Sequence, residues 1–237
     1  MLLSNSGKHL KIRQSTVEDV PHLFKAYQDE RFIGLYRSNN IEQTEEQMRE
    51  AMMQREKYTP EQLGSLEFVV EHANFGIVGV LVLGDYSPVH FRAEMLIGLF
   101  EEKYNYLGLG TEAALLLLDL AFNHYHLNKL YTYVYEYNEI SQKMTTKFGF
   151  FQEGLLKKHH FLLKEKRFVD LYINGLNIEQ FRASNSIRRY SLKLLGRDIT
   201  QEIPVIELSK DGLSTLEVSE DQKQSFLRAF QAKQLTH

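Results

Sequence analysis

Hydrophobic residues alternate with polar ones in several short segments, and in the segments between them they recur every third or fourth residue. A period of two predicts strands and a period near 3.6 predicts amphipathic helices. A hydroxyl residue ahead of acidic residues marks helix starts at Thr16 and Thr44. Strands are predicted at 9–14, 66–71, 77–83, 92–100, 129–137, 150–163 and 167–177, and helices from Val20 and at 44–57, 111–126 and 138–148, with a loop at 31–41.

The resulting element order is β-α-α-β-β-β-α-β-α-β-β over residues 9–177. Mixed elements around one sheet predict an α+β or α/β domain, which we assign to residues 1–182. Residues 183–237 form a C-terminal extension, in which 203–208 and 214–218 are predicted to pair as a hairpin ahead of an amphipathic helix. No motif in this extension indicates a chemical role.

Composition excludes several classes of function. The 237 residues carry a net charge of −3, which gives no general electrostatic reason to bind nucleic acid or an anionic membrane. Cysteine is absent, so disulfides, thiolate zinc sites and cysteine nucleophiles are excluded. The most apolar stretch, Ala113–Phe122, is about half a membrane span in length and contains Asp119. With no signal-peptide pattern at the start, we expect a cytoplasmic protein.

Two side-chain patterns on the strands have ordinary structural explanations beside functional ones. Tyr131, Tyr133, Tyr135 and Tyr137 alternate and therefore share one face of their strand. They form either an aromatic wall beside a ligand or a packing surface beneath a helix. His159 and His160 point to opposite faces of a strand, so we expect no metal site there.

The strongest chemical signal is a pair of glycines between a strand and the most apolar helix. Asn105-x-x-Gly108-x-Gly110 follows the strand at 92–100, and the helix is predicted to start at Thr111. Glycines let a ligand approach the backbone, and the free amides and positive dipole end of a helix start suit a pyrophosphate. The spacing is not that of a P-loop or of a dinucleotide-binding motif. An ordinary strand-to-helix turn also uses glycine, so the pair alone leaves both interpretations open.

In context, Tyr104–Ala113 resembles the (Gln/Arg)-x-x-Gly-x-(Gly/Ala) loop of the GNAT superfamily of acyl-CoA N-acyltransferases. A second block, Asn138-Glu139 followed by Lys147–Phe150, is similar to the Asn-(Glu) to Lys-x-Gly-Phe stretch of that family. Ala93-Glu94 stands where one branch often has the same pair. The resemblance covers roughly residues 9–182. It is strongest to the branch with ribosomal-protein N-terminal acetyltransferases and spermidine acetyltransferases.

The resemblance implies a GNAT-like fold, with a mostly antiparallel sheet that splays between 91–100 and 129–137 at the cofactor site. It implies acetyl-CoA as the acyl donor, and no metal. Asn138 would contact the pantetheine arm, and Lys143 would approach a phosphate. Asn105 replaces the usual Gln or Arg, so backbone donors would carry more of the phosphate binding. The residues expected to bind acyl-CoA are Leu99, Phe100, Asn105, Tyr106, Leu107, Gly108, Leu109, Gly110, Thr111, Asn138 and Lys143.

Three side chains are candidates for the chemistry of acyl transfer to an amine. Glu94 would accept the amine proton, because the resemblance places it at the acceptor end of the cleft; the alternative is a solvated strand carboxylate. A backbone amide near Leu99-Phe100 would polarise the thioester carbonyl. Thr145 stands where the family commonly has a tyrosine that protonates the departing thiolate, and a threonine is too weak an acid for that task. Tyr137, beside Asn138, is the tyrosine expected nearest the chemistry.

The sequence therefore predicts an N-acyltransferase that moves an acetyl or other acyl group from acyl-CoA to a primary amine of a small molecule or peptide. The resemblance places the acceptor pocket between 28–41 and 160–168, where Tyr36 and Arg167 are among the polar residues of interest. The alternative is a non-catalytic CoA-binding sensor or interaction module with a degenerate site, which Thr145 and Asn105 favour. A homodimer is left open.

Overall fold

The computed structural model describes residues 4–36 and 44–202. Within these residues the strands are β1 (Ser4–Ser6), β2 (Leu10–Gln14), β3 (Leu66–His72), β4 (Gly76–Ser87), β5 (Arg92–Leu99), β6 (Lys129–Tyr135), β7 (Phe151–Leu162) and β8 (Arg167–Asn177). They form one sheet in the order β1-β2-β3-β4-β5-β6-β8-β7. The seven predicted strands are confirmed, and β1 is an addition that the hydrophobic pattern did not indicate.

One parallel pairing interrupts an otherwise antiparallel sheet. β5 and β6 run parallel over three residue pairs, the last of which joins Glu94 to Tyr131. β5 then continues to Leu99 along β4, and β6 continues to Tyr135 along β8. Because their pairing has ended, the two strands diverge and the sheet opens between them. The predicted mixed sheet that splays at this point is confirmed.

The helices of the described residues flank both faces of the sheet. They are α1 (Val20–Tyr27), α2 (Glu30–Tyr36), α3 (Glu45–Arg55), α4 (Pro60–Leu63), α5 (Glu102–Tyr106), α6 (Leu109–Asp119), α7 (Glu139–Lys147), α8 (Ile178–Ala183) and α9 (Asn185–Leu195), and α6 continues as a π-helical segment, Leu120–His124. The predicted start of α3 is confirmed by a capping box. Thr44 Oγ1 accepts the amide of Gln47 at 3.2 Å, and Gln47 Oε1 accepts the amide of Thr44 at 2.9 Å.

The predicted loop at 31–41 is wrong in its first half, because these residues belong to α2. Gly34 has a low intrinsic helix propensity, which favoured the loop. Phe32, however, is buried in an apolar cluster, and Ile33 and Tyr36 pack against the same cluster. Tertiary burial of one helix face outweighs a local propensity of this size. Residues 37–43 lie outside the described part of the chain.

α6 is the central helix of the core and is buried on every side. All residues from Glu112 to Asp119 are buried, since α6 lies between the sheet and α9. The Glu112 carboxylate accepts the backbone amides of His9 and Leu10 at 2.7 and 2.9 Å, which ties the helix to the start of β2. A helix that is apolar all round is typical of a protein core, as predicted. Among the described residues, no helix has both the length and the apolar content needed to cross a bilayer.

The first part of the predicted C-terminal extension packs on the same core. Ile187 of α9 is fully buried in the cluster that contains the leucines of α6. Asp119, with a side chain only 4% exposed, pairs with Arg197 at 2.7 Å. It also accepts hydrogen bonds from the side-chain amides of Asn5 and Asn123 at 3.0 and 2.7 Å. A domain boundary after residue 182 stays a prediction, and the hairpin and helix expected after residue 202 lie outside the described residues.

Replacing Asp119 with alanine should lower the free energy of unfolding by roughly 2–4 kcal/mol, because three donors around a buried position lose their acceptor. Urea denaturation followed by circular dichroism measures the loss. Glu139→Ala is the matched control, since Glu139 pairs with Lys143 on the surface and its removal should change the free energy of unfolding by no more than about 0.5 kcal/mol. An equal midpoint for the two variants would contradict the anchoring role of Asp119.

Candidate active site

A cavity of about 240 Å³ occupies the gap between β5 and β6. It is lined from both faces of the sheet. On one face, which we call the α6 face, its walls are the start of α6 and the inner side of α7. On the other, the α2 face, Leu35 and Tyr36 of α2 line it. The opening of the sheet therefore connects two separate surfaces through one passage.

The α6 face of the cavity begins at the turn from α5 into α6. Gly108 caps this helix with φ of 75°, a left-handed conformation that favours glycine. Asn105, Gly108, Gly110 and Thr111 line the cavity. The first amides of a helix lack intrahelical acceptors and lie at the positive end of its dipole, so this wall attracts an anion. A Cβ on Gly110 would meet Leu99 only at an ordinary 3.6 Å, so packing does not require this glycine.

The other residues of the predicted phosphate loop differ in where they lie. Leu109 is buried in the hydrophobic core, and the side chain of Leu107 is 57% exposed. Neither side chain lines the cavity. Tyr106 is the last residue of α5. The glycine spacing thus located the turn, but local sequence could not show which of the intervening side chains would point inward.

Leu99 and Phe100 follow one another at the end of β5 but face different ways. The amide of Phe100 donates to the carbonyl of Val78 on β4 at 2.9 Å, and its ring packs edge-on against Phe32. Successive amides of a strand point to opposite sides, so the amide of Leu99 points away from β4 and into the gap. Leu99 also lines the cavity. Of the two predicted carbonyl-polarising amides, the geometry favours that of Leu99.

Gly98 allows α2 to lie directly on β5. A Cβ at this position would fall 2.6 Å from the ring of Phe32 and 2.7 Å from that of Tyr36, closer than any real contact. The two rings stack with their centres 5.0 Å apart, and Tyr36 lines the cavity. Burial raises the pKa of the Tyr36 hydroxyl well above its usual value. Sequence analysis missed Gly98, although glycine inside a strand is a known sign of close approach.

Glu94 lies where β5 and β6 part, in register with Tyr131. It is 5% exposed, so the alternative interpretation as a solvated strand carboxylate is wrong. The lining of the cavity begins one residue later, with Met95. Burial raises the pKa values of Tyr36 and Tyr131, and in each case the charge of Glu94 adds to the effect. The carboxylate is therefore close to the α2 face of the cavity, next to the end of the cavity at which β5 and β6 part.

Asp85, Arg92 and Tyr131 form a polar cluster beside Glu94. The Tyr131 hydroxyl donates to the Asp85 carboxylate, and Arg92 Nη1 donates to Asp85 at 2.7 Å and to the Tyr131 hydroxyl at 3.1 Å. The hydrogen bond from Tyr131, helped by Arg92, lowers the pKa of Asp85. Three different strands supply the cluster, which local sequence could not reveal. No group of three or more His, Cys, Asp or Glu residues within the described ranges is arranged to hold a metal ion.

α7 covers the α6 face of the cavity. Asn138 lines the cavity and caps the helix, its Oδ1 accepting the amide of Ser141 at 3.1 Å. Thr145 also lines the cavity, but its hydroxyl donates to the carbonyl of Ser141 at 2.7 Å and is therefore directed into its own helix. Lys143, with a side chain 78% exposed, pairs with Glu139 at 3.0 Å and lies outside the cavity lining.

The alternating tyrosines have different roles, and the predicted strand at 129–137 is too long, because β6 ends at Tyr135 and Tyr137 lies in the turn after it. Tyr133 and Tyr135 line the cavity, and the Tyr135 hydroxyl lies 3.3 Å from His160 Nε2. Tyr137 stacks on Tyr135 and donates its hydroxyl hydrogen to the carbonyl of Gly34 at 2.8 Å. Burial, with nearby carboxylate charge, raises the pKa of Tyr137 to about 12. Tyr137 thus holds α2 in place and does not line the cavity.

Comparison with known sequences gives a family match over most of this fold. A model of the family described as "Acetyltransferase (GNAT) domain" matches residues 9–151. The spermidine N(1)-acetyltransferases of Escherichia coli strains K12 and O157:H7 are each 37% identical over 84 residues, which is 35% of this chain. The match spans 45% of the length of these curated relatives.

Comparison with solved structures extends the likeness to the fold. A spermidine N-acetyltransferase from Vibrio cholerae, in complex with CoA and spermine, superposes with a TM-score of 0.63 at 19% identity. The superposition covers 71% of this chain and 95% of that one. At this identity the likeness shows the fold alone, and it confirms the fold that the glycine loop and the Asn138 block predicted.

Replacing Gly110 with valine should weaken the binding of CoA at least tenfold, because the added methyl groups cover the amides at the start of α6. The free energy of unfolding should stay within about 1 kcal/mol of the parent, since a Cβ at Gly110 makes only ordinary van der Waals contacts. Isothermal titration calorimetry and urea denaturation measure the two quantities.

Gly154→Val on β7 is the matched control, because a Cβ there likewise makes no close contact, with its nearest atom at 4.0 Å, and the position is outside the cavity lining. It should bind CoA like the parent. Unchanged CoA affinity in Gly110→Val, with the protein folded, would contradict a phosphate site at this turn.

Proposed function

Because the chain belongs to the GNAT acetyltransferase family, we propose that it transfers an acetyl group from acetyl-CoA to a primary amine. The observation that carries the proposal is the passage between β5 and β6. An anion-attracting helix start lies on one face of it, and an aromatic wall lies on the other. A thioester carrier and an amine could thus meet inside the sheet from opposite sides.

We assign the α6 face to the donor. The amides of Leu109 and Gly110 would hold the pyrophosphate, because those of Gly108 and Thr111 already donate to the carbonyls of Asn105 and Gly108. Asn105 and Thr111 would add side-chain contacts. Asn138, at the other side of the same face, is available to the pantetheine arm. The expected phosphate contact of Lys143 stays a prediction, and its exposed position on α7 gives it no direct path into the cavity.

The reaction follows from the groups around the gap. The amine nitrogen attacks the thioester carbonyl carbon, a C–N bond forms and the C–S bond breaks. The amide of Leu99 stabilises the developing oxyanion, because it points into the gap and β4 does not use it. Glu94 receives the proton that the amine loses, through a water that spans the distance to the cavity.

The departing thiolate receives no proton from Thr145 in this proposal. Its hydroxyl hydrogen is already donated to the Ser141 carbonyl, and a threonine is a weak acid. A thiolate is stable enough in water to leave and take its proton from solvent. The degenerate-site alternative rests on the same residue, so turnover decides between the two.

Three further expectations stay proposals beside this function. They are a cytoplasmic location, a homodimer, and kinship with the ribosomal-protein N-terminal acetyltransferases, whose acceptor is a peptide amine. The likeness to spermidine N-acetyltransferases supports a small-molecule amine instead.

Thiol release from acetyl-CoA, measured over a panel of primary amines and checked by mass spectrometry of the product, tests the function. Glu94→Gln should slow turnover about 100-fold, which is typical for loss of a general base, with CoA affinity unchanged. Thr145→Val should keep turnover within about twofold, because its hydroxyl faces the helix backbone.

CoA binding without turnover on any amine would favour the sensor alternative. Full activity of Glu94→Gln would remove Glu94 from the mechanism while leaving the class of reaction intact. A large loss in Thr145→Val would show that the hydroxyl turns toward the thiolate during the reaction.

A further inference from the structure

The α2 face of the cavity is apolar. Its wall, which we call the α2 wall, consists of Leu35, Tyr36, Leu96, Tyr133 and Tyr135. None of these residues carries a charge at neutral pH, and Leu35 presents an apolar side chain that is 54% exposed. The side chains of this wall bury hydrocarbon favourably and offer an ammonium group no counter-charge of their own. Glu94, which lies beside this face, is assigned to the reacting nitrogen.

One guanidinium of the chain already occupies the cation position beside this wall. Arg167 lies 5.9 Å from the ring centre of Tyr137, which stacks on Tyr135. The same guanidinium pairs with Glu136 at 3.2 Å and with Glu165 at 2.5 Å. An amine ligand with a second ammonium group, remote from the reacting nitrogen, would place that group against a tyrosine ring and two carboxylates. Here the guanidinium of Arg167 takes this position.

The cluster of Asp85, Arg92 and Tyr131 beside Glu94 repeats this arrangement, outside the cavity lining. Arg92 lies 5.5 Å from the ring centre of Tyr131 and pairs with Asp85 at 2.7 Å. On the protein surface, Glu30 of α2 is paired with Lys164. The carboxylates of Asp85, Glu30, Glu136 and Glu165 are therefore each matched with a cation of the chain itself.

We propose that the acceptor is a monoamine whose amino group is carried by an aromatic or aliphatic group, and that this site disfavours polyamines. The proposal rests on the proposed function and names its substrate class. A polyamine keeps one or more ammonium groups besides the reacting nitrogen, and each would meet either the apolar α2 wall or a guanidinium. A hydrophobic group meets neither penalty and is buried against Leu35 and the tyrosines.

The test compares 2-phenylethylamine with spermidine on the full chain. The ratio of their kcat/KM values is measured by thiol release, and their binding to the CoA-saturated protein is measured by calorimetry. We expect at least a tenfold preference for 2-phenylethylamine in both. A preference for spermidine in either measurement would overturn the proposal.

Arg167→Gln frees Glu136 and Glu165 for a ligand's ammonium, so it should raise kcat/KM for spermidine at least tenfold, with less gain at high salt. Its matched control is Arg189→Gln, because Arg189 lies 5.3 Å from the ring centre of Tyr190 on α9, away from the cavity. Equal spermidine rates in the two variants would count against the proposal.

Leu35→Asp should reverse the preference by placing a carboxylate on the α2 wall. Leu192→Asp is its control, since Leu192 is 50% exposed on α9 and outside the cavity lining. An unchanged preference in Leu35→Asp would contradict the assigned wall.

Calorimetry distinguishes failure of this proposal from failure of the proposed function. Absent thiol release with both amines would refute the reaction. The two heats of binding would still decide which class of ligand the α2 wall accepts.

Discussion

The early end of pairing between β5 and β6 is the constraint on which the candidate site depends. Only three residue pairs join the two strands, and each strand is held on its other side by a full antiparallel partner. The gap is therefore rigid at its edges, although nothing from the sheet fills it. Had pairing continued past Glu94, β6 would have taken the amide of Leu99, and the two faces would have no connection.

Features that depend on local sequence could be predicted. The strands, the buried α6, the capping box of α3 and the turn at Gly108–Gly110 all follow from hydrophobic period, side-chain hydrogen bonds within a turn, or glycine spacing. These signals lie within a few residues of the structure they specify. They were enough to give the element order and the loop that faces the cavity.

Features that depend on contacts distant in sequence could not be predicted. α2 exists because Phe32 and Tyr36 pack over Gly98, which is more than sixty residues away. The cluster of Asp85, Arg92 and Tyr131 combines three strands. Position alone also could not show that the Thr145 hydroxyl would bond to its own helix, since that choice depends on a rotamer.

The contact between Arg197 and Asp119 has a consequence for biosynthesis. α9 and the residues after it cover the outer side of α6, and they are the last part of the described chain to leave the ribosome. Until then, a nascent chain with its whole sheet already synthesised still exposes leucines of its central helix. Such an intermediate is prone to aggregate and is a natural client for chaperones, so completion of the core waits for the synthesis of α9 and Arg197.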